Sequence, residues 1–298
     1  GHERPPTPAA VPALGSGAFL NEAVNQLADA YLERKQRETG RVIPHDDYLL
    51  EKQKVKAYLA DNRVFGVDRN PVATELAEIS LWLNTIYEGH TIPWFGGQLV
   101  AGNSLIGARR QVFTRAQLES SNRKWLDSVP ERVPVGTERK TGQIWHFLAP
   151  DQGMCDYTDK AVKEMLPAEM KQIREWRKEF TKRFTAGDVK AMERLSAAVD
   201  RLWKKHCEDL RKVRKETAHI FPVFGHEDDP RFAERGQRLT TRERDEIFER
   251  MILPRGGQAS AYQRLKMAMD YWCALWFWPV DQAKLLPSRD EFLLELSA

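Results

Sequence analysis

Cysteine is scarce in this chain. Three occur in 298 residues, and Cys155, Cys207 and Cys273 lie far apart with no paired spacing. That argues against a disulfide framework and against a zinc-binding pair, and for a reducing, cytoplasmic setting. No apolar run reaches the roughly 18 residues that suggest a membrane helix. The most apolar stretch, Tyr271 to Val280, is too short to span a bilayer. The opening Gly1-His2-Glu3-Arg4-Pro5-Pro6 has no apolar core and does not read as a signal peptide, and Gly1-His2 reads as a cloning scar. A dominant charge is also missing: 46 Lys and Arg face 43 Asp and Glu, and a net charge of +3 does not by itself indicate a nucleic-acid partner. His45, His90, His146, His219 and His226 show no metal-ligand spacing.

What is present is the composition of a soluble globular protein, 42% hydrophobic and 30% charged. Residues 1–14 are rich in Pro and Ala and read as a disordered or tag-derived lead. From Ala18 to about Arg37, Phe19, Leu20, Val24, Leu27, Ala28, Tyr31 and Leu32 recur at helical spacing, and Thr39-Gly40 ends the pattern. A second helix is expected over His45–Ala60. Arg63 to Asp68 reads as a short buried strand ending in an acid. Asn70-Pro71 opens a further helix, as cap and first helical residue. That helix runs to about Ile86 and is apolar all round, which predicts that both of its faces are covered. Gln98 to Ala101 is a second strand.

Three pieces of this first third carry chemistry. Leu14-Gly15-Ser16-Gly17-Ala18 is a glycine loop opening a helix, where backbone can approach a ligand and free N–H groups are offered; taken alone it is more often only a turn. Asp68, at the tip of a strand, is placed to accept ribose hydroxyls, or to cap the strand–helix turn, and the two roles are compatible. Asn103, in Ala101-Gly102-Asn103-Ser104-Leu105, offers an amide that reads the edge of an adenine ring, or serves a polar turn.

Together these pieces resemble the cofactor half of class I S-adenosylmethionine-dependent adenine DNA methyltransferases. The closer likeness is to the large single-chain restriction–modification enzymes and those of BREX and DISARM phage defence. The likeness runs from about Leu14 to Phe113 and is most specific in Gly66-Val67-Asp68-Arg69-Asn70-Pro71-Val72-Ala73, Ser80-Leu81-Trp82-Leu83 and Gly102-Asn103-Ser104-Leu105-Ile106-Gly107. It implies that Gly15 and Gly17 pass beneath the methionine part of the cofactor, that Asp68 binds its ribose and that Asn103 contacts its adenine. It also implies DNA, and other subunits of a defence system, as partners. Three departures stand out. Val11 occupies a position where the family usually has aspartate. Ala9-Ala10-Val11 stands where a first core strand and a further cofactor motif belong. The catalytic Asn/Asp-Pro-Pro-aromatic motif, which holds a flipped adenine, is missing, because the only Pro-Pro is Pro5-Pro6, preceded by Arg4. The chain is therefore expected to be a fragment with no catalytic residues of its own, inactive alone and weak or silent toward the cofactor. An NAD-binding reading needs a fuller glycine loop after a strand, which Pro8 to Leu14 does not offer.

The remaining sequence predicts helices. The expected organisation is a truncated Rossmann-like region over 15–113 and an α-helical region over 114–298, so α/β by family but mainly α overall. Within it, two long helical patterns over 160–217 break at Ala186-Gly187-Asp188 and predict a hairpin. That segment holds 17 Lys and Arg against 10 Asp and Glu. Lys204, Lys205, Arg211, Lys212, Arg214 and Lys215 read either as phosphate contacts or as a solvated helix face interrupted by Glu208, Asp209 and Glu216. Further helices are expected over Thr241–Leu253, Ala259–Phe277 and Ser288–Leu296, with Trp272, Trp276, Phe277 and Trp278 as core or as a face covered by another segment. A non-enzymatic DNA-binding or protein-interaction module is the alternative function.

Overall fold

The computed structural model describes residues 9–89, 92–219, 221–228 and 239–297, so Arg4 and Pro5-Pro6 lie outside the described residues. The fold is mixed α/β and dominated by helices. It divides into two compact units: Gly1–Leu105 with Asp209–Arg255, and Ile106–Glu208 with Gly256–Ala298. The boundary thus falls before 113, and the chain returns to the first unit after leaving it.

The first unit is built on a parallel sheet in the order β1 (Ala9–Val11), β2 (Val64–Asp68), β3 (Leu99–Ala101). Ala9 pairs with Val64 and Val11 with Gly66, while Gly66 pairs with Leu99 and Asp68 with Ala101. The expected disordered lead is therefore a strand over its residues 9–11. Three small or β-branched residues are too few to show a period, and it is the pairing with β2 that makes them a strand.

Helices α1 (Ala18–Thr39) and α2 (His45–Arg63) connect β1 to β2, and α3 (Pro71–Thr85) connects β2 to β3. On α1 the buried residues Leu20, Val24, Ala28 and Leu32 recur every four positions and form one face, and Gly40 ends the helix at φ 66°. Asp46 and Asp47 stand in the first turn of α2, where the helix dipole favours anions. The Gln98 side chain donates to Ala60 O at 3.1 Å and Val64 O at 2.8 Å, tying β3 to the end of α2 and the start of β2. The core of this unit includes Leu20, Leu32, Leu59, Val64, Leu81 and Leu99, joined by Phe221, Val223 and Phe224 from the returning segment.

Helix α3 differs from expectation. Only its Thr74, Ala77, Leu81 and Thr85 face is buried. Val72, Leu76, Ile79, Leu83 and Ile86 stand between 50% and 59% exposed. Thr74, Ala77 and Thr85 keep most of the inner face small and allow close approach, as Ala77 beneath Gly17 illustrates, while Leu81 alone of the helix's leucines and isoleucines is buried.

The second unit contains an antiparallel sheet in a stretch expected to be polar turns and helix. Its strands are β4 (Gln111–Thr114), β5 (Glu131–Arg132) and β6 (Gln143–Trp145), in the order β5-β4-β6. Strands of two to four residues carry no measurable alternation, which is why the sequence pattern misses them. Around the sheet lie α4 (Arg115–Glu119), α5 (Lys160–Met165), α6 (Pro167–Phe180), the first part of α7 (Ala186–Thr217), α9 (Ala261–Ala274) and α10 (Arg289–Glu295). Helix α8 (Thr241–Ile252) belongs to the first unit. The expected break at Ala186-Gly187-Asp188 is the first turn of α7: Thr185 N donates to Asp188 Oδ2 at 2.8 Å and Asp188 N to Thr185 Oγ1 at 3.1 Å. The second core includes Trp125, Phe147, Phe180, Trp272 and Phe292. Trp272 is buried and donates to Ala149 O at 2.9 Å, whereas Phe277 is exposed. Among the described residues no helix is long and apolar enough to cross a membrane.

Candidate cofactor site

Gly15-Ser16-Gly17 follows the C-terminal end of β1, Asp68 is the last residue of β2, and Asn103 follows the C-terminal end of β3. All three therefore lie at the same edge of one parallel sheet, because parallel strands carry their C-terminal ends to one side. This is where open α/β sheets bind ligands.

Backbone hydrogen bonds draw the three pieces together. Leu14 N donates to Val67 O at 3.0 Å, and Gly102 N donates to Asp68 O at 2.7 Å. The Gly15 amide then donates to Asp68 Oδ2 at 2.8 Å, and the Asn70 amide to Asp68 Oδ1 at 2.9 Å. These two N–H groups, Asn70 first and Gly15 second, hold the Asp68 carboxyl below the usual carboxylate range. Asp68 is thus fixed and ionised. Each of its oxygens has one N–H partner here, and a carboxylate oxygen has a second lone pair for a hydroxyl. Its capping role and a binding role are compatible, as the sequence suggests.

Glycine is required at Gly17 for two reasons. Its φ is 85°, and a Cβ there would stand 3.1 Å from the Cβ of Ala77. Gly15 has φ 56° but nothing within 4 Å of its Cβ position, so its outer side faces open space. The Asn70 side chain caps α3 by accepting from Val72 N at 3.0 Å.

At the third strand tip, Asn103 Oδ1 accepts from Leu105 N at 2.9 Å and shapes its own turn. The sequence reading assigned no role to two further contributors. Gly66 must lack a side chain because a Cβ would stand 2.7 Å from Leu14 Cδ1, which lets Leu14 lie over β2 and carry the loop. Asn21 Nδ2 donates to Ser80 Oγ at 2.6 Å and ties α1 to α3. The Ser80-Leu81-Trp82-Leu83 run was the only signal of that link.

The six basic residues of α7 do not form one stripe. At about 100° per residue, Lys204, Arg211 and Lys215 share one side, Lys205 and Lys212 lie a quarter turn away, and Arg214 points elsewhere. All six are exposed. The Arg214 guanidinium stands 5.5 Å from the centre of the Phe65 ring. Among the described residues no His, Cys, Asp and Glu cluster could hold a metal ion. His146 is buried: Arg109 N donates to its Nε2 at 2.9 Å, and burial pulls its pKa down to about 4. No protein-family model, curated protein or solved structure matches this chain.

Proposed function

We propose that the first unit is the S-adenosylmethionine-binding portion of a class I adenine DNA methyltransferase of the restriction or phage-defence type. The observation that carries this reading is the anchored Asp68. It sits at the tip of the middle strand, clamped by the amides of Gly15 and Asn70, with the glycine loop on one side and Gly102-Asn103 on the other. An ionised carboxylate in that place suits a ribose diol. Open space outside Gly15 suits the chain between ribose and amino acid, and the amide of Asn103 suits the adenine edge. The bound cofactor would supply an electrophilic methyl group; what these residues do is hold and orient it. The sequence lacks the motif that would hold a target base, so the reading assigns cofactor binding to this chain and not turnover.

The expectation of weak or silent binding rests on two departures, a missing strand before the glycine loop and a missing catalytic loop over the pocket, and the structure bears on the first. β1 removes that reason, and measurable affinity is expected. The test is calorimetry with S-adenosylmethionine, S-adenosylhomocysteine and NAD. Binding of the first two, weakened at least about tenfold by Asp68→Asn with far-UV circular dichroism unchanged, is the expected result. Preference for NAD, or affinity indifferent to Asp68→Asn, would overturn the reading.

A further inference from the structure

The end of α6 and the loop before the single 3-10 turn Lys124–Leu126 line a cavity of about 280 Å³, which lies within the second unit. Ligand pockets are mostly apolar, but here Leu126 is the only apolar residue on the wall, and no aromatic ring lines it. That argues against an apolar ligand and leaves a nucleobase nothing to stack on. Three cations line the cavity instead, Arg123 from the loop and Arg177 and Lys178 from the last turn of α6.

Cations in the last turn of a helix are ordinary, because they offset its dipole. Arg123 is not explained in that way. It stands at the N-terminal end of its own turn, and its backbone is left-handed at φ 54° and ψ 39°, a conformation that suits Gly or Asn and strains other residues. Such strain clusters at functional sites. Arg123 N donates to Ser120 O at 3.1 Å and Leu126 N to Arg123 O at 3.0 Å, which holds the loop in this form. The guanidinium reaches Thr181 O, at the end of α6, at 3.4 Å, using one of its five N–H groups. Arg177 is aimed as well: its Nη1 donates to Asp156 Oδ1 at 2.7 Å and its Nη2 to Gln152 O at 2.6 Å. Lys178 is exposed and has no hydrogen-bond or ion-pair partner among the described residues.

The negative groups nearby leave a positive surplus. Asp127 is on the wall and Asp156 stands behind Arg177, two carboxylates against three cations, while Glu179 is paired with Lys182 at 2.9 Å. The carbonyl end of α6 is satisfied, since Arg177 O accepts from Thr181 N at 2.9 Å and from Thr181 Oγ1 at 2.7 Å. An anion is therefore favoured. A carboxylate brings two oxygens and a terminal phosphate three, so three cations suit the phosphate. Asp127, Asn122 and Gln152, on the same wall, suit hydroxyl groups.

We propose that this cavity binds a sugar phosphate, with its phosphate on Arg123, Arg177 and Lys178 and its hydroxyls on Asp127, Asn122 and Gln152. The proposal does not rest on the cofactor reading.

The test is calorimetry on the full chain with glucose 6-phosphate, inorganic phosphate and glucose as probes. Glucose 6-phosphate should bind with a dissociation constant of about 1 mM or tighter. Inorganic phosphate should bind at least about threefold more weakly, and glucose should give no measurable heat. Arg123→Gly removes the guanidinium and gives the left-handed backbone the residue that suits it. It should weaken glucose 6-phosphate binding at least about tenfold, while the thermal midpoint stays level or rises. A fall in the midpoint would make Arg123 a structural anchor and overturn the assignment. Lys178→Gln, at an exposed position, should weaken binding at least about threefold. Asp127→Ala removes a negative charge and a hydroxyl acceptor together, so it should narrow the gap between glucose 6-phosphate and inorganic phosphate. Three further outcomes overturn the proposal: no heat with glucose 6-phosphate up to about 10 mM, glucose bound as well as its phosphate, or affinity indifferent to Arg123→Gly and Lys178→Gln. Displacement of glucose 6-phosphate by duplex DNA would overturn it too, by making a nucleic-acid backbone the occupant.

Discussion

The rim of the first unit and the interior of the second use polar residues in opposite ways. In the unit with the parallel sheet, the residues proposed to hold a cofactor stand at strand ends, with Asp68 and Asn103 on the rim and Gly15 against open space. In the unit with the antiparallel sheet, polar residues turn inward and bond to the protein itself. Arg289 is buried and donates to Lys182 O at 2.6 Å and Asp188 Oδ2 at 3.0 Å, with its guanidinium 4.8 Å from the Phe184 ring centre. Asp200 accepts from Trp145 Nε1 at 2.9 Å and from Arg139 Nε at 3.1 Å. Ser196, fully buried, accepts from Trp145 N at 3.2 Å. Residue type alone does not separate binding from architecture. What separates them is whether the hydrogen bonds of a polar group close inside the fold.

The largest effect that sharpens this contrast should come from Arg289. Removing one partner of a buried ion pair leaves the other uncompensated and costs about 3–5 kcal/mol. Arg289→Ala should lower the unfolding free energy by that order in chemical denaturation. Arg289→Lys should recover only part, since an ammonium cannot reproduce the planar fork. A loss below about 1 kcal/mol would mean that the inward-turned network is not what holds the second unit. Asp68→Ala, on the rim, should leave the denaturation midpoint near that of the parent and act on ligand affinity instead.

His146 makes the same contrast through pH. Its pKa is drawn from the ordinary 6.5 down to about 4, first by burial. The unfolded chain therefore takes up a proton as pH falls through 6.5, while the folded chain does not until about 4. Stability is full at neutral pH and declines across that window, by roughly 3 kcal/mol at most. His146→Gln keeps an acceptor for Arg109 N and removes the titration. Unfolding free energies at pH 7 and pH 5 should show the parent losing about 2 kcal/mol more than the variant on acidification. Equal losses would place His146 in contact with water.

The first unit was far more legible in the sequence than the second, and the reasons are physical. Helix α1 shows itself through an apolar face repeating every four residues, and α3 through Asn70-Pro71, whose cap geometry is local. Asp68 was readable because a strand ending in Gly-Val-Asp before a capped helix fixes its place. β1 was not readable, since three residues become a strand only by pairing with β2. The antiparallel sheet was hidden for the same reason, its longest strand being the four residues of β4. The open face of α3 was misread because hydrophobicity reports that a residue seeks cover, not whether its own fold supplies it. The return of residues 209–255 to the first unit is set by contacts distant in sequence, and no local pattern records those.

A smaller effect separates two glycines of one loop. Gly17→Ala meets both a positive φ of 85° and Ala77 at 3.1 Å, and should cost roughly 1–3 kcal/mol of stability. Gly15→Ala meets a positive φ of 56° and no neighbour within 4 Å, so its stability cost should be the smaller. The added methyl group enters the space assigned to the cofactor, so the same variant should weaken cofactor binding. If Gly15→Ala were the more destabilising of the two, the space outside that residue would not be open, and the candidate site would lose its entrance.

The smallest effect is expected on α7. Lys204, Lys205, Arg211, Lys212, Arg214 and Lys215 are all exposed, so duplex DNA has access to them, yet the helix spreads them over several directions. No more than three of the six share a side, and Glu208 and Glu216 stand among them. Each phosphate neutralised contributes a log–log salt slope of about −0.9. A single side holding three cations therefore predicts a slope no steeper than about −3 in gel retardation with duplexes of unrelated sequence. Changing Lys204, Arg211 and Lys215 to Glu should flatten it, and changing Lys205 and Lys212 to Glu should alter it less. A much steeper slope would mean that cations elsewhere join in. Sequence-selective retardation surviving both sets of changes would move recognition off α7 altogether and favour a DNA-binding module over an inert fragment. Retardation lost equally with either set would mean that the two sides of the helix act together, which a single rigid duplex contacting one face cannot explain.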